Sequence, residues 1–193
     1  MRTLFTFVFF CVSLTSCKSK SEPKTPVEIA VASNKIIKTD EDISKYLVIE
    51  LNPKNNSRVF GKVRFVQSGN NVVMTALVSG LSKGMHAIHI HQKSDCSSDD
   101  GKSTGGHWNP TAQPHGKWGS ETGYHKGDIG NFIVGDKKTT KIKFTTDQWC
   151  MGCGDETKDI LGKGLIIHQG IDDFVSQPSG AAGSRVSCAG IIE

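Results

Sequence analysis

All seven histidines of this 193-residue chain lie between His86 and His168. They stand in short patterns: His86-Ala87-Ile88-His89-Ile90-His91, Gly105-Gly106-His107-Trp108-Asn109-Pro110, Pro114-His115-Gly116, His125-Lys126-Gly127-Asp128 and Ile166-Ile167-His168. A neutral imidazole nitrogen offers a lone pair at ordinary pH, which makes histidine a common transition-metal ligand. Taken singly, each of these residues is as well explained by a surface position or a hydrogen bond. Taken together, with none elsewhere, they require a fold that gathers distant stretches of chain around metal.

The N-terminus is set aside before the fold is considered. Arg2 precedes a mostly apolar run from Leu4 to Leu14. That run is too short to span a bilayer, which needs roughly 20 residues, and suits the apolar part of a secretory signal. Leu14-Thr15-Ser16-Cys17 follows and resembles a bacterial lipobox, whose cysteine is acylated and becomes the first mature residue. Cys11 fits less well, because Phe9 and Phe10 are bulky. The expected organisation is a signal over residues 1–16, a lipidated polar tether over 17–45 and one domain over 46–193. The expected location is the bacterial cell envelope, periplasmic or membrane-anchored, with the membrane engaged through the lipid alone. A short edge strand at Val27–Val31 lacks flanking periodicity. The net charge of +4, with both signs interspersed, gives no basis for a nucleic-acid or membrane-surface partner.

Export implies an oxidising compartment in which disulfides persist. With Cys11 removed and Cys17 lipidated, Cys96, Cys150, Cys153 and Cys188 remain, and four cysteines allow three pairings.

The domain reads as all-β. Apolar and β-branched segments recur at Tyr46–Leu51, Val59–Val66, Val72–Val78, Ala87–His91, Ile129–Val134, Lys141–Phe144, Leu165–His168 and Arg185–Ile192. Turn signals separate them at Asn52-Pro53, Ser68-Gly69-Asn70-Asn71, Ser82-Lys83-Gly84 and Gly135-Asp136. No segment sustains a 3.6-residue apolar stripe. Eight strands predict a Greek-key sandwich or flattened barrel. Long metal-binding loops are expected among the three long connections, at 92–128, 145–164 and 170–184.

His89 and His91 lie two apart on a strand, so both project from one face. His107, His115, His125 and Asp128 belong to the first long loop, which must fold around something to unite them. Three imidazoles and a carboxylate suit a closed, structural zinc site. His168 ends another strand and can join His89 and His91. Two separate sites built this way use six histidines and leave His86 over.

The strings from Gly84 to His91, Gly106 to Pro110, His125 to Asn131 and Gly183 to Cys188 together resemble the copper,zinc superoxide dismutase family, in that family's order and over nearly all of residues 46–193. The resemblance implies one copper and one zinc per chain. Copper would be held by His89, His91, His107 and His168, and zinc by His107, His115, His125 and Asp128, with His107 bridging the two. It places Asp172 between the two ligand sets, bonded to His89 and His115, and His86 behind the copper clamp. It pairs Cys96 with Cys188 and makes Arg185 the residue that positions superoxide. The implied activity is dismutation of superoxide to oxygen and hydrogen peroxide, protecting the envelope. The alternative, a non-catalytic copper-buffering lipoprotein on the same fold, would be expected to lose His107, the zinc set or Arg185, and all are present. A homodimer is compatible with the sequence, which does not itself specify one.

Two features depart from the family pattern. The loop at 170–184 has no lysine, so steering of the anion would fall to Arg185 with Lys93, Lys117 or Lys163. Cys150-Met151-Gly152-Cys153 is an addition that reads as a local disulfide, an accessory metal site or inert thiols.

Overall fold

The structure is a computed structural model, and residues 45–193 are described. The signal segment, Cys17, the tether and the strand considered at Val27–Val31 lie outside those residues.

Eight strands form over the apolar and β-branched segments, alternating with polar residues in β2 and β3 and buried continuously in β7: β1 Lys45–Pro53, β2 Phe60–Ser68, β3 Asn71–Ser79, β4 Gly84–His91, β5 Gly130–Val134, β6 Thr139–Thr146, β7 Gly164–His168 and β8 Arg185–Gly190. They hydrogen-bond in the order β5-β4-β7-β8-β1-β2-β3-β6, every pair antiparallel. The edge strands β5 and β6 touch, so the sheet is a nearly closed, flattened barrel with Greek-key crossings.

Along β2 and β3 the alternation is strict where it matters. Val63, Phe65, Val72, Met74, Ala76 and Val78 are buried, while Arg64 and Leu77 between them are exposed. They meet Ile88, Ile90, Leu165 and Ile167 from the opposite wall in a single apolar core. The expected turn at Asn52-Pro53 is instead the end of β1. Leu51 still pairs with Gly61 of β2, but Asn52 and Pro53 pair with Cys188 and Ser187 of β8. Pro53 lacks an N–H and so suits a strand end, where the chain leaves one half of the barrel for the other.

The loops at 92–129, 147–163 and 169–184 join β4 to β5, β6 to β7 and β7 to β8. Strand β4 is buried on both faces from His86 onward, which a strand bare on one side could not be. Its inner face carries Ile88 and Ile90. Its outer face carries His89 and His91, covered by the first and third loops.

Candidate metal centre

The sheet sets one half of the centre. His89 and His91 stand opposite Ile166 and Gly164 of β7, and His168 ends that strand just past a register shift at Ile167/His168. A bulge re-aims a side chain, and here it turns the His168 ring to 4.9 Å from that of His89 and 5.6 Å from that of His91. The first loop enters as an extra rung, with His107 bridged to His91 in antiparallel fashion.

Further along, that loop lies directly on β4. Trp108 N donates to Ile90 O (2.8 Å), Ile90 N to Gly127 O (2.9 Å) and Gly127 N to Trp108 O (2.9 Å). A Cβ on Gly127 would sit 2.1 Å from Ile90 O, so only glycine permits the approach. This close packing delivers Asp128, fully buried, beneath His107, His115 and His125. Its Oδ1 is 2.8 Å from His107 Nδ1 and 3.2 Å from His125 Nδ1, and its Oδ2 is 3.0 Å from His115 Nδ1. The carboxylate is itself fixed by the N–H groups of His125 (2.8 Å) and Gly116 (3.2 Å).

The ligand atoms therefore fall into two buried groups, one of His89, His91, His107 and His168, the other of His107, His115, His125 and Asp128. Within each, the atoms lie within 4.8 Å of one another. Whether the groups fit metal is answered by the second nitrogen of each ring. His89 Nε2 donates to Asp172 Oδ2 (2.9 Å), His91 Nδ1 to Gly105 O (3.0 Å), His168 Nδ1 to Gly183 O (3.3 Å) and His115 Nε2 to Asp172 Oδ1 (2.8 Å). Each of these donations uses the single proton of a neutral imidazole, so the other nitrogen presents a lone pair. His91 Nε2 and His168 Nε2 then face each other at 3.4 Å, acceptor against acceptor. His89 Nδ1, His107 Nε2, His115 Nδ1 and His125 Nδ1 are buried without a hydrogen bond. Buried lone pairs converging without protons are costly unless a cation satisfies them. The residues fit copper and zinc.

Electrostatics favour free lone pairs on His91, His168 and His107, whereas at His115 a bound cation would have to displace a proton. Burial, reinforced by neighbouring imidazoles and Arg185, holds His91 and His168 well below their ordinary value, so both stay neutral. Burial brings His107 down to about 4 even beside Asp128. For His115 burial acts in the same sense but is outweighed by Asp128 and Asp172, which raise it to about 9. Burial works against the charge of both carboxylates, yet their histidine partners hold Asp128 and Asp172 below the usual range.

Asp172 joins the two groups through His89 and His115. It is positioned by Asn131, whose Nδ2 donates to Asp172 O (2.8 Å) and whose Oδ1 accepts from Asp172 N (2.8 Å). Gly180 closes over it in the left-handed region (φ 66°), where a Cβ would lie 1.8 Å from Asp172 Oδ1. Replacing Asp172 with asparagine is expected to lower copper affinity about 10–100-fold, the usual cost of losing a carboxylate that orients a ligating imidazole. Competitive copper titration of the purified protein measures it.

A cavity of about 570 Å³ opens onto His91, His107 and His168, with Arg185 and Lys102 in its wall. Arg185 pairs across the sheet with His168, and its Nη1 donates to Gly101 O and Thr104 Oγ1, both at 2.9 Å. Half-burial lowers its pKa from the ordinary arginine value, but a guanidinium remains charged. Cys96 and Cys188 are disulfide-bonded across 92 residues, anchoring the loop that carries those two acceptors to β8. Cys150 and Cys153 are bonded locally.

His86 lies behind the clamp, and the lysine at the cavity differs from those expected. His86 is on the inner face of β4, three residues from His89 and therefore of opposite parity. Its Nδ1 lies 3.2 Å from the His168 main-chain oxygen and its Nε2 2.9 Å from Ser82 O, so it steadies the backbone of a ligand instead of touching a ligand ring. The lysine at the cavity is Lys102, not Lys93, Lys117 or Lys163. Lys163 instead sits 5.8 Å over the Trp108 ring. The only local signal for Lys102 is Gly101, whose φ of 70° starts a 3₁₀ turn at Lys102–Thr104.

Comparison with known proteins identifies the family. The profile of the copper/zinc superoxide dismutase family matches residues 59–191. Superoxide dismutase (Cu-Zn) 2 of Aquifex aeolicus is 32% identical over 137 residues, which is 69% of this chain and 79% of that protein. Among solved structures, a double mutant of a SOD-like protein from Bacillus subtilis superposes with a TM-score of 0.68 at 28% identity, covering 76% of this chain and 97% of that one. The clock protein EA4 gives 0.65 at 28% identity over 76% and 94% of the two chains. The chain belongs to the copper/zinc superoxide dismutase family of oxidoreductases.

Proposed function

We propose that this chain dismutates superoxide at a binuclear centre, with copper on His89, His91, His107 and His168 and zinc on His107, His115, His125 and Asp128. The observation that carries the reading is His107, a buried ring whose Nδ1 meets Asp128 while its Nε2 is left bare on the side of the other three imidazoles. Bound copper would supply the one-electron exchange with superoxide, and zinc, which has no accessible redox change, would keep His107 in place.

The chain's own residues do the rest. Arg185 receives the anion: with Nη1 committed to Gly101 and Thr104, the guanidinium is fixed at the cavity wall and its other N–H groups remain for superoxide. His107 Nε2 is the atom that holds a proton where peroxide forms. The imidazoles around it are buried, so a small anion reaches them through the cavity while bulk solvent is kept back. In sum, two superoxide ions and two protons give oxygen and hydrogen peroxide.

A positive cleft raises encounter rates by about 10–10³-fold. Arg185→Gln is therefore expected to lower kcat/KM at least about 10-fold with metal content unchanged, and Lys102→Gln to flatten its dependence on ionic strength. Stopped-flow superoxide consumption over a salt series reads both. The central test is metal analysis of the purified chain beside the same assay. Copper and zinc bound together without activity would overturn the enzyme reading in favour of copper buffering.

We further propose that the protein is an envelope lipoprotein anchored at Cys17 and protects that compartment from superoxide. The Leu14–Cys17 pattern supports this, as does a Cys96–Cys188 bond suited to an oxidising space. A Cys17→Ala protein is expected to lose incorporation of labelled fatty acid and to leave the membrane fraction. Retained label would place the acylation elsewhere.

A further inference from the structure

The loop at 147–163 carries two cysteines that the metal centre does not use. Cys150 is buried and Cys153 exposed, and they are joined to each other. Asp159 is close by: one of its oxygens and the two sulfurs lie within 4.8 Å of one another.

The disulfide is not what holds this loop closed. Asp159 Oδ1 accepts from the N–H groups of Gly152 (2.9 Å) and Leu161 (3.1 Å). Cys150 N donates to Lys158 O (2.9 Å), and Cys150 O accepts from Ile160 N (3.1 Å). Lys45 Nζ donates to Met151 O (2.7 Å) and Gly152 O (3.2 Å), and Met151 N donates to Gln67 Oε1 (2.8 Å). Trp149, Met151 and Ile160 are buried at its base. A bond between residues three apart also restrains the unfolded chain far less than one spanning 92. With the loop secured by other means, the sulfurs are free for chemistry.

Access selects which sulfur reacts, since thiol–disulfide exchange needs the attacking thiolate to reach its target. A thiolate of an external dithiol attacks Cys153 Sγ, the Cys150–Cys153 bond breaks, and Cys150 leaves as thiolate. The second thiol of the same reductant then displaces Cys153. The reductant departs as its own disulfide, having passed two electrons and two protons to the protein.

We propose that Cys150, Cys153 and Asp159 form a third metal site, opened by dithiol reduction of the disulfide and selective for a thiophilic d10 cation, zinc in particular. Two thiolates and a carboxylate are ligands zinc takes, with a fourth position left for water. Asp159 is ready for the role. Its Oδ1 is held by two backbone N–H groups, while its Oδ2 has only the long 3.4 Å contact from Gly154 N and keeps lone pairs to give. The Lys45 ammonium, bound within the same loop, offsets the remaining negative charge.

The test uses the full chain loaded with copper and zinc, so that the main centre is filled. A water-soluble phosphine, which gives two electrons and takes oxygen from water without competing as a thiol ligand, is titrated in under native conditions. Differential alkylation and peptide mass mapping are expected to show Cys150 and Cys153 labelled before Cys96 and Cys188. Cadmium ion, a d10 probe of zinc sites, is then expected to bind with one further equivalent per chain and a thiolate-to-metal absorption band, and zinc ion to displace it. The oxidised protein and Cys153→Ser should show no such band, and Asp159→Asn should bind about 10-fold more weakly. Reduction of Cys96–Cys188 first, absence of the band in reduced protein, or an equal band in oxidised protein would each overturn the proposal. Dismutase activity of the Cys150→Ser/Cys153→Ser protein should equal that of the parent, so failure here leaves the dismutase reading standing.

Discussion

Replacing His107 with alanine is expected to cut superoxide turnover by about 10²–10⁴-fold, the range that a positioned proton donor contributes, and to lose zinc as well. The residue belongs to both ligand groups, so one substitution removes a ligand from each. His89, His91 and His168 still converge, and the H107A protein should therefore retain copper, although more weakly. That separates the roles: copper remains, yet the atom that holds the proton at Nε2 is gone. His115→Ala is the matched comparison, because it strips the zinc group and leaves the other intact. It should cost zinc with a smaller loss of turnover. Metal analysis and stopped-flow assay of the two proteins check this, and an H107A protein within a few-fold of the parent would show that His107 carries no proton of consequence.

Removing the Cys96–Cys188 bond is expected to destabilise the metal-free protein by about 4–5 kcal/mol, from the chain-entropy model for a loop of this length. Denaturant unfolding of Cys96→Ser/Cys188→Ser beside the parent measures it, and a loss below about 1 kcal/mol would mean that the unfolded chain is not constrained as that model requires. The functional effect should be separable. Gly101 and Thr104, which pin Arg185, lie in the loop that Cys96 anchors. Freed from β8, that loop should let Arg185 wander, raising KM under conditions where the fold persists.

Much of this architecture is written locally. Period-two alternation in Val72–Val78 or Val63–Phe65 requires nothing but one buried face, and the sequence shows it directly. The pair His89 and His91 is legible for the same reason. Parity alone also separates His86 from that pair and puts it on the other face of β4. Other features depend on contacts that no local pattern encodes. Pro53 looks like a turn until β8 is beside it. Lys102 becomes a wall of the cavity only because the loop turns at Gly101. Gly127 is one glycine among 21 until Ile90 O is seen 2.1 Å from where its Cβ would be.

Strand β4 interleaves two incompatible sets of side chains, Ile88 and Ile90 on one side, His89 and His91 on the other. A slip of a single residue in its pairing would exchange them wholesale, driving imidazoles into hydrocarbon and leaving isoleucines where lone pairs should converge. A slipped chain would then be a chain without its metal centre. Metal held at these imidazoles would thereby report that β4 has paired in its correct register.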